Sequence, residues 1–234
     1  MRHRSKSILW FAAMAVLAWR ASACSSDSGG PAPDFTVSVD TPTATTLGTQ
    51  VVLHVHLTSI AGDTGIVTFN VTGAPSSWTV APPVSPVTLT ANGQATGNVT
   101  IDIPTNGDPA AAGQSVTVEA ILGTLHHSAA SRVTVANEFV IPLLRGATAG
   151  GSHWPFANGT TLHLNNGTLV TFQNGDTLAH IIHSNGGIGI AHQSTGGVGT
   201  PPGGTYGQTA SGGPGSTRIT CHSHLADTLV IAIP

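Results

Sequence analysis

One cysteine and a group of histidines near the C-terminus carry the residue types most able to do chemistry. They fall in two segments, Val170 to His180 (VTFQNGDTLAH) and Cys221 to Leu229 (CHSHLADTL). A thiolate together with imidazoles suits a borderline-soft ion: copper, zinc or iron. Strand alternation decides which atoms can converge, because successive side chains take opposite faces. Thr217, Ile219 and Cys221 share a face, and Ile219 marks it as inward. His180 and Ile182 share one face of an earlier strand, while Ile181 and His183 take the other. Parity alone therefore admits either His180 or His183 as a ligand. The chain must turn after Cys221, so His224 can swing back beside the thiolate, while His222 points away. Two histidines from distant segments plus one cysteine make a trigonal His₂Cys set.

Strands are what the rest of the sequence offers to bring these residues together. Gly and Pro, 29 and 15 of 234 residues, leave little room for long helices. From Phe35 onward apolar and polar residues alternate, as in Val51 to Leu57 (VVLHVHL), with Val51, Leu53, Val55 and Leu57 on one face. Further short strands are expected at Ile66–Val71, Val87–Thr90, Val99–Ile103, Val116–Leu122 and Arg132–Val135. They predict an antiparallel sandwich over residues 35–136. His54, His56, His126 and His127 belong to it and read as solvent-facing. A second all-β module is expected over 137–234, with strands at Phe139–Leu143, Thr161–Leu164, Leu169–Phe172, His180–His183, Thr217–Cys221 and Leu229–Ile233. A Gly-rich span, Ser184 to Ser216, separates two of them. His153 and His163 carry no functional signal. His183, His192 and His222 are spare: surface groups, neighbours of the ligands, or a secondary copper-loading site.

The first 23 residues read as an address. Arg2, Arg4 and Lys6 precede an apolar run, Ile8 to Trp19, that is too short to span a bilayer and fits a secretory signal. Small residues and then Cys24 follow, with a flexible tether over 24–34. Cys221 is the one other cysteine, so if Cys24 is modified Cys221 is a lone thiol in an oxidising compartment. After Cys24 only Arg132, Arg145 and Arg218 are basic, against ten acids, which excludes nucleic acid as the default partner.

Three resemblances add to this reading. Ala21-Ser22-Ala23-Cys24 resembles a bacterial lipoprotein signal, which implies lipidation at Cys24, export, and a periplasmic or cell-surface location on a membrane anchor. The phrases DFTVSV, GIVTFNVTGAPSSWTV, PVTLTANGQATGNVTIDIP and GQSVTVEAILGTLHHSAASRVTV resemble, in layout, bacterial Ig-like domains. Residues 138–234 resemble the plastocyanin-type cupredoxins. Asn174, Asp176 and His180 match that family's Asn-x-Asp-x-x-x-His element, and Cys221 and His224 its Cys-x-x-His loop. The resemblance implies an Ig-like sandwich followed by a Greek-key barrel or sandwich. It also implies one type 1 copper ion held by His180, Cys221 and His224, with His183 the less favoured ligand. The family's axial methionine falls at Leu229, which cannot coordinate, and Met1 and Met14 are the only methionines.

The expected function is one-electron transfer, not catalysis. By resemblance the electron leaves at His224, docking a redox partner protein on a rim that includes Gly186 to Ile190. The Ig-like module serves as a stalk, and the protein acts as a monomer. The rivals are copper binding or storage, an enzyme, and a structural envelope protein with a vestigial site.

Overall fold

The computed structural model describes residues 30–81, 85–144, 153–193, 199–222 and 224–234. The signal segment, Cys24 and most of the tether lie outside them. Pro33–Pro234 make one compact unit. Among the described residues there is no helix, and so none long and apolar enough to cross a membrane.

Nine strands come first: β1 (Asp34–Val39), β2 (Thr45–Thr46), β3 (Gln50–Ile60), β4 (Gly65–Thr72), β5 (Thr79–Val80), β6 (Val87–Leu89), β7 (Gln94–Asp102), β8 (Ala110–Leu122) and β9 (Leu125–Ala136). They build two sheets, ordered β1-β3-β7-β5 and β2-β9-β8-β4-β6. Alternation explains the layering: on β3, Val51, Leu53, Val55 and Leu57 are buried while Val52, His54 and His56 face out. β8 and β9 form a hairpin closed by Gly123 and Thr124, and Gly123 (φ 61°) takes the positive φ that two-residue turns require. The pairing is antiparallel except for the short β2, which runs parallel to β9.

Seven strands follow: β10 (Glu138–Leu143), β11 (Thr160–His163), β12 (Leu169–Asn174), β13 (Ile182–Ser184), β14 (Thr205–Thr209), β15 (Gly215–Cys221) and β16 (His224–Ile233). Their sheets are β10-β12-β14 and β11-β16-β15-β13. Two pairs, β10 with β12 and β11 with β16, are parallel. The chain therefore crosses between sheets at β11, as a two-sheet wrap requires. Leu143, Leu164, Val170, Phe172, Ile182, Ile219, Leu229 and Ile231 are wholly buried. Each such side chain contributes roughly 1.5–3 kcal/mol relative to exposure. No strand is shared between the two halves, but the chain ties them together. Leu47 N donates to Glu138 O at 2.8 Å, and Thr105 Oγ1 to His163 O at 2.7 Å. Gly48 (φ 72°) lies under the Phe139 ring, which leaves no room for a Cβ.

Three expectations are corrected. The Gly-rich span contains a strand, β14, which completes the β10-β12 sheet. The strand expected over His180–His183 is confined to Ile182–Ser184, and His180 instead makes an isolated bridge with Thr200. The last strand starts at His224, not near Leu229, because His224 already pairs with Cys221 across the β15–β16 ladder.

Candidate metal centre

The first segment is organised by Asn174, which ends the inward face of β12 after Val170 and Phe172. It is wholly buried, so its amide must find partners. Nδ2 donates to Leu178 O and to Thr200 O, both at 2.8 Å, and Oδ1 accepts from Asp176 N at 2.9 Å. These bonds close the loop from 174 to 180 on itself. Asp176 accepts from Thr177 N at 2.6 Å, and its other oxygen meets His180 Nε2 at 2.9 Å. The Thr177 amide, and after it His180, hold the Asp176 carboxyl down to about 2. An ionised carboxylate there keeps the proton on Nε2, which leaves the Nδ1 lone pair free to bind. His180 Nδ1 lies 3.2 Å from Cys221 Sγ. The backbone of His180 is fixed in turn by bonds to and from Thr200, at 3.0 and 2.7 Å. Gly199 permits this approach, since a Cβ there would stand 2.5 Å from His180 O.

The second segment is shaped by an irregularity in the β15–β16 ladder. Thr220 pairs with Thr228, yet Cys221 pairs with His224, so Leu225, Ala226 and Asp227 bulge out. The bulge sets His224 directly across from the wholly buried Cys221. Asn158 pins it, donating to Ala226 O at 3.0 Å and accepting from Thr228 N and Oγ1 at 2.8 Å. It also carries Asp227 to His153, whose N and Nδ1 lie 3.0 and 3.2 Å from Asp227 Oδ2.

His153, read from the sequence as carrying no functional signal, lies beside His180 and His224. It is 1% exposed and its ring stacks on His224, centroids 3.6 Å apart at 29°. The His180 centroid is 5.3 Å from His153 and 5.9 Å from His224. One nitrogen from each of the three rings falls within 4.8 Å of the other two. No spacing in the sequence pointed to His153. The bulge that brings Asp227 to it is a product of strand register.

Two observations test the fit of a metal. His224 Nδ1 is buried without a hydrogen-bond partner, a costly state for a ring nitrogen unless something else binds it. Burial first, and then His153 and His180, push the His224 pKa down, so the ring stays neutral. The thiol and the His180 nitrogen at 3.2 Å are close to the ~3.5 Å edge spanned by metal–sulfur and metal–nitrogen bonds of ~2.3 and ~2.0 Å. A thiolate with neutral imidazoles suits copper or zinc. Leu229 is wholly buried, with Ile219 and Thr160 as strand partners, and offers no donor. His183 belongs to a different group, with ring centroids 4.6 Å from His192 and 5.2 Å from His222. The expected docking rim is corrected in part: Ile190 is wholly buried and Ile188 packs on the core. The exposed apolar residues of these segments are Leu225 and Leu178, at 60% and 66%.

No protein-family model and no curated protein matches the chain. Solved structures show partial likeness. A purple cupredoxin from Nitrosopumilus maritimus aligns at 21% identity over 41% of this chain and 98% of its own, with a TM-score of 0.32. A mutant of amicyanin, Cu(I), aligns at 16% identity over 42% of this chain and 84% of its own, with a TM-score of 0.32. A Cu-containing nitrite reductase from Thermus scotoductus aligns at 14% identity over 74% of this chain and 55% of its own, with a TM-score of 0.26. Likenesses of this size leave the chemistry of this chain to its own residues.

Proposed function

We propose that His180, Cys221 and His224 hold one copper ion and that the protein is a one-electron carrier. The observation that carries this reading is the buried thiol facing His180 Nδ1 while His224 Nδ1 is left without a hydrogen-bond partner. Copper bound there would supply a Cu(II)/Cu(I) couple tuned by the absence of an axial donor at Leu229. The chain's own residues do the rest. Asp176 keeps His180 in the tautomer that presents Nδ1. Asn174 holds the loop rigid, which limits movement of the ligand between charge states. The burial of Cys221 keeps water and oxidants from the thiol. The buried thiol and the tightly bonded loop around His180 support a carrier over a catalyst.

On this reading residues 137–234 are the copper module, with the cupredoxin-like architecture that the motif resemblance implies. Residues 35–136 form an Ig-like stalk. The signal at 1–23 exports the chain, and Cys24 anchors it by lipid to a membrane facing the periplasm or cell surface. Exposed Leu225, next to His224, gives a redox partner an apolar contact at the electron exit. The protein works as a monomer that docks transiently.

A second reading, copper binding or storage, is favoured by His153. Stacked on His224 with Nδ1 held by Asp227, it offers a third imidazole to the same ion. Spectroelectrochemical titration separates the two. A carrier cycles reversibly between oxidised and reduced forms at one potential with the metal retained. A storage protein releases the ion on oxidation or reduction.

A further inference from the structure

On the outer side of the β13–β15 pair, three more imidazoles meet. His222 Nε2 lies 2.9 Å from His192 Nε2 and 3.3 Å from His183 Nδ1. The three come from separate segments, and each is fixed beside the same stretch of backbone. His183 is on β13 itself. His222 N donates to Ile181 O at 3.0 Å. Next to His192, Gln193 N donates to Ile182 O and Gln193 Oε1 accepts from Ile182 N, each at 3.0 Å. Hydrogen bonds that hold the backbone place these rings together, so their proximity is built rather than chosen by free side chains.

Exposed histidines gain little from one another's company. A proton shared between two rings satisfies one pair, and a second proton brings like charges together. Among the described residues no carboxylate bonds to any of the three, and Arg218 adds positive charge beside His183. Burial first, and then His192, His222 and Arg218, push the His183 pKa down. The ring nitrogens that face one another are the donors the cluster can offer a cation. Nitrogen–nitrogen spacings of 2.9 and 3.3 Å match edges of a coordination shell with metal–nitrogen bonds of ~2.0–2.1 Å.

We propose that His183, His192 and His222 form a second, solvent-facing metal site that takes a borderline divalent cation, Zn²⁺ or Cu²⁺. Three imidazole donors favour this class over magnesium or calcium, which want oxygen. Water completes the shell, because His222 is exposed and the other two rings half-buried. Cys221 and His222 are consecutive, so the outer site is joined to the buried centre through one peptide unit. The proposal does not depend on copper at the buried centre.

The test is calorimetric titration of Zn²⁺ into the purified protein and into H192Q, H222Q and C221S variants, under reducing conditions at neutral pH. H192Q and H222Q are expected to lose one equivalent of Zn²⁺, with affinity reduced by more than the 10–100-fold that an outer-shell loss costs. Their thermal midpoints in chelator are expected to match the parent's. C221S is expected to keep that equivalent; if it also keeps every other equivalent, the buried-centre reading fails while the outer site stands. The outer site is overturned if H192Q and H222Q bind as the parent does. It is overturned equally if the equivalent they lose binds more weakly than about 1 mM, or if both lower the midpoint in chelator and leave Zn²⁺ binding unchanged.

Discussion

In the first half of the molecule His56 meets Asp40 at 3.0 Å, His126 meets Glu119 at 3.0 Å and His127 meets Asp34 at 2.7 Å, while His54 meets Asn98 at 2.9 Å. In the second half six histidines gather in two sets of three, ring against ring. The two halves share strand architecture and alternation, so the contrast does not come from the fold class. It comes from what each imidazole is given to balance its charge. A surface histidine beside an acid is stable in either protonation state and needs no ion. Rings facing one another gain from a cation that binds them all. Asp176 and Asp227 each bond to one nitrogen of a histidine, His180 Nε2 and His153 Nδ1, and a histidine has a second.

Asn174→Ala removes both donors to the carbonyls of Leu178 and Thr200 and the acceptor for Asp176 N. Thr200 O keeps its bond from His180 N, so Leu178 O and Asp176 N are left unpaired, and at roughly 1–3 kcal/mol for each about 3 kcal/mol is lost. For a body of this size that lowers the thermal midpoint of the metal-free protein by roughly 6–12 °C. An unchanged midpoint would mean that the loop does not depend on its amide.

Asp176→Ala acts on the ligand instead of the loop. Freed from its carboxylate, His180 loses both tautomer and orientation, and copper affinity should fall by about 10–100-fold in a competition assay. Asp176→Asn, which keeps an acceptor, should recover part of it. An equal loss of affinity from His127→Ala in the first half would erase the distinction between the two kinds of histidine.

The smallest effect is the pH response of that first-half pair. The bond to His127, and then the Phe35 amide, lower the Asp34 pKa below its ordinary 3.8. The contribution of a group with a lowered pKa is complete above the unfolded value and is lost as pH falls through the folded one. Acidification from pH 5 through 3.8 and below should therefore cost wild type slightly more stability than His127→Ala, in urea melts at low salt. High salt should remove the difference, since the pair is exposed.

Much of the architecture was legible because alternation is a local signal: Val51, Leu53, Val55 and Leu57 declare the inner face of β3 without reference to anything distant. The Asn174, Asp176 and His180 spacing was likewise legible, since the bonds that join those residues are nearly all local. β14 was hidden because Gly and Thr dilute its pattern, and its strand status rests on pairing with β12. The parallel pairs depend on how the chain crosses between sheets, which no short motif records. His153 was the largest gap. Its place is set by Asp227, and Asp227 by a ladder irregularity between Thr220 and Cys221 that only the paired strands reveal.

Ligation of copper by Cys221 together with His180 and His224 is what sets the second half of the molecule apart on this proposal. The most direct measurement is the visible absorption spectrum of the protein after addition of one equivalent of Cu(II), with Cys221→Ala alongside. An intense copper–thiolate band is expected in the protein and none in the variant. A colourless protein, or a band that persists in Cys221→Ala, would contradict this ligation.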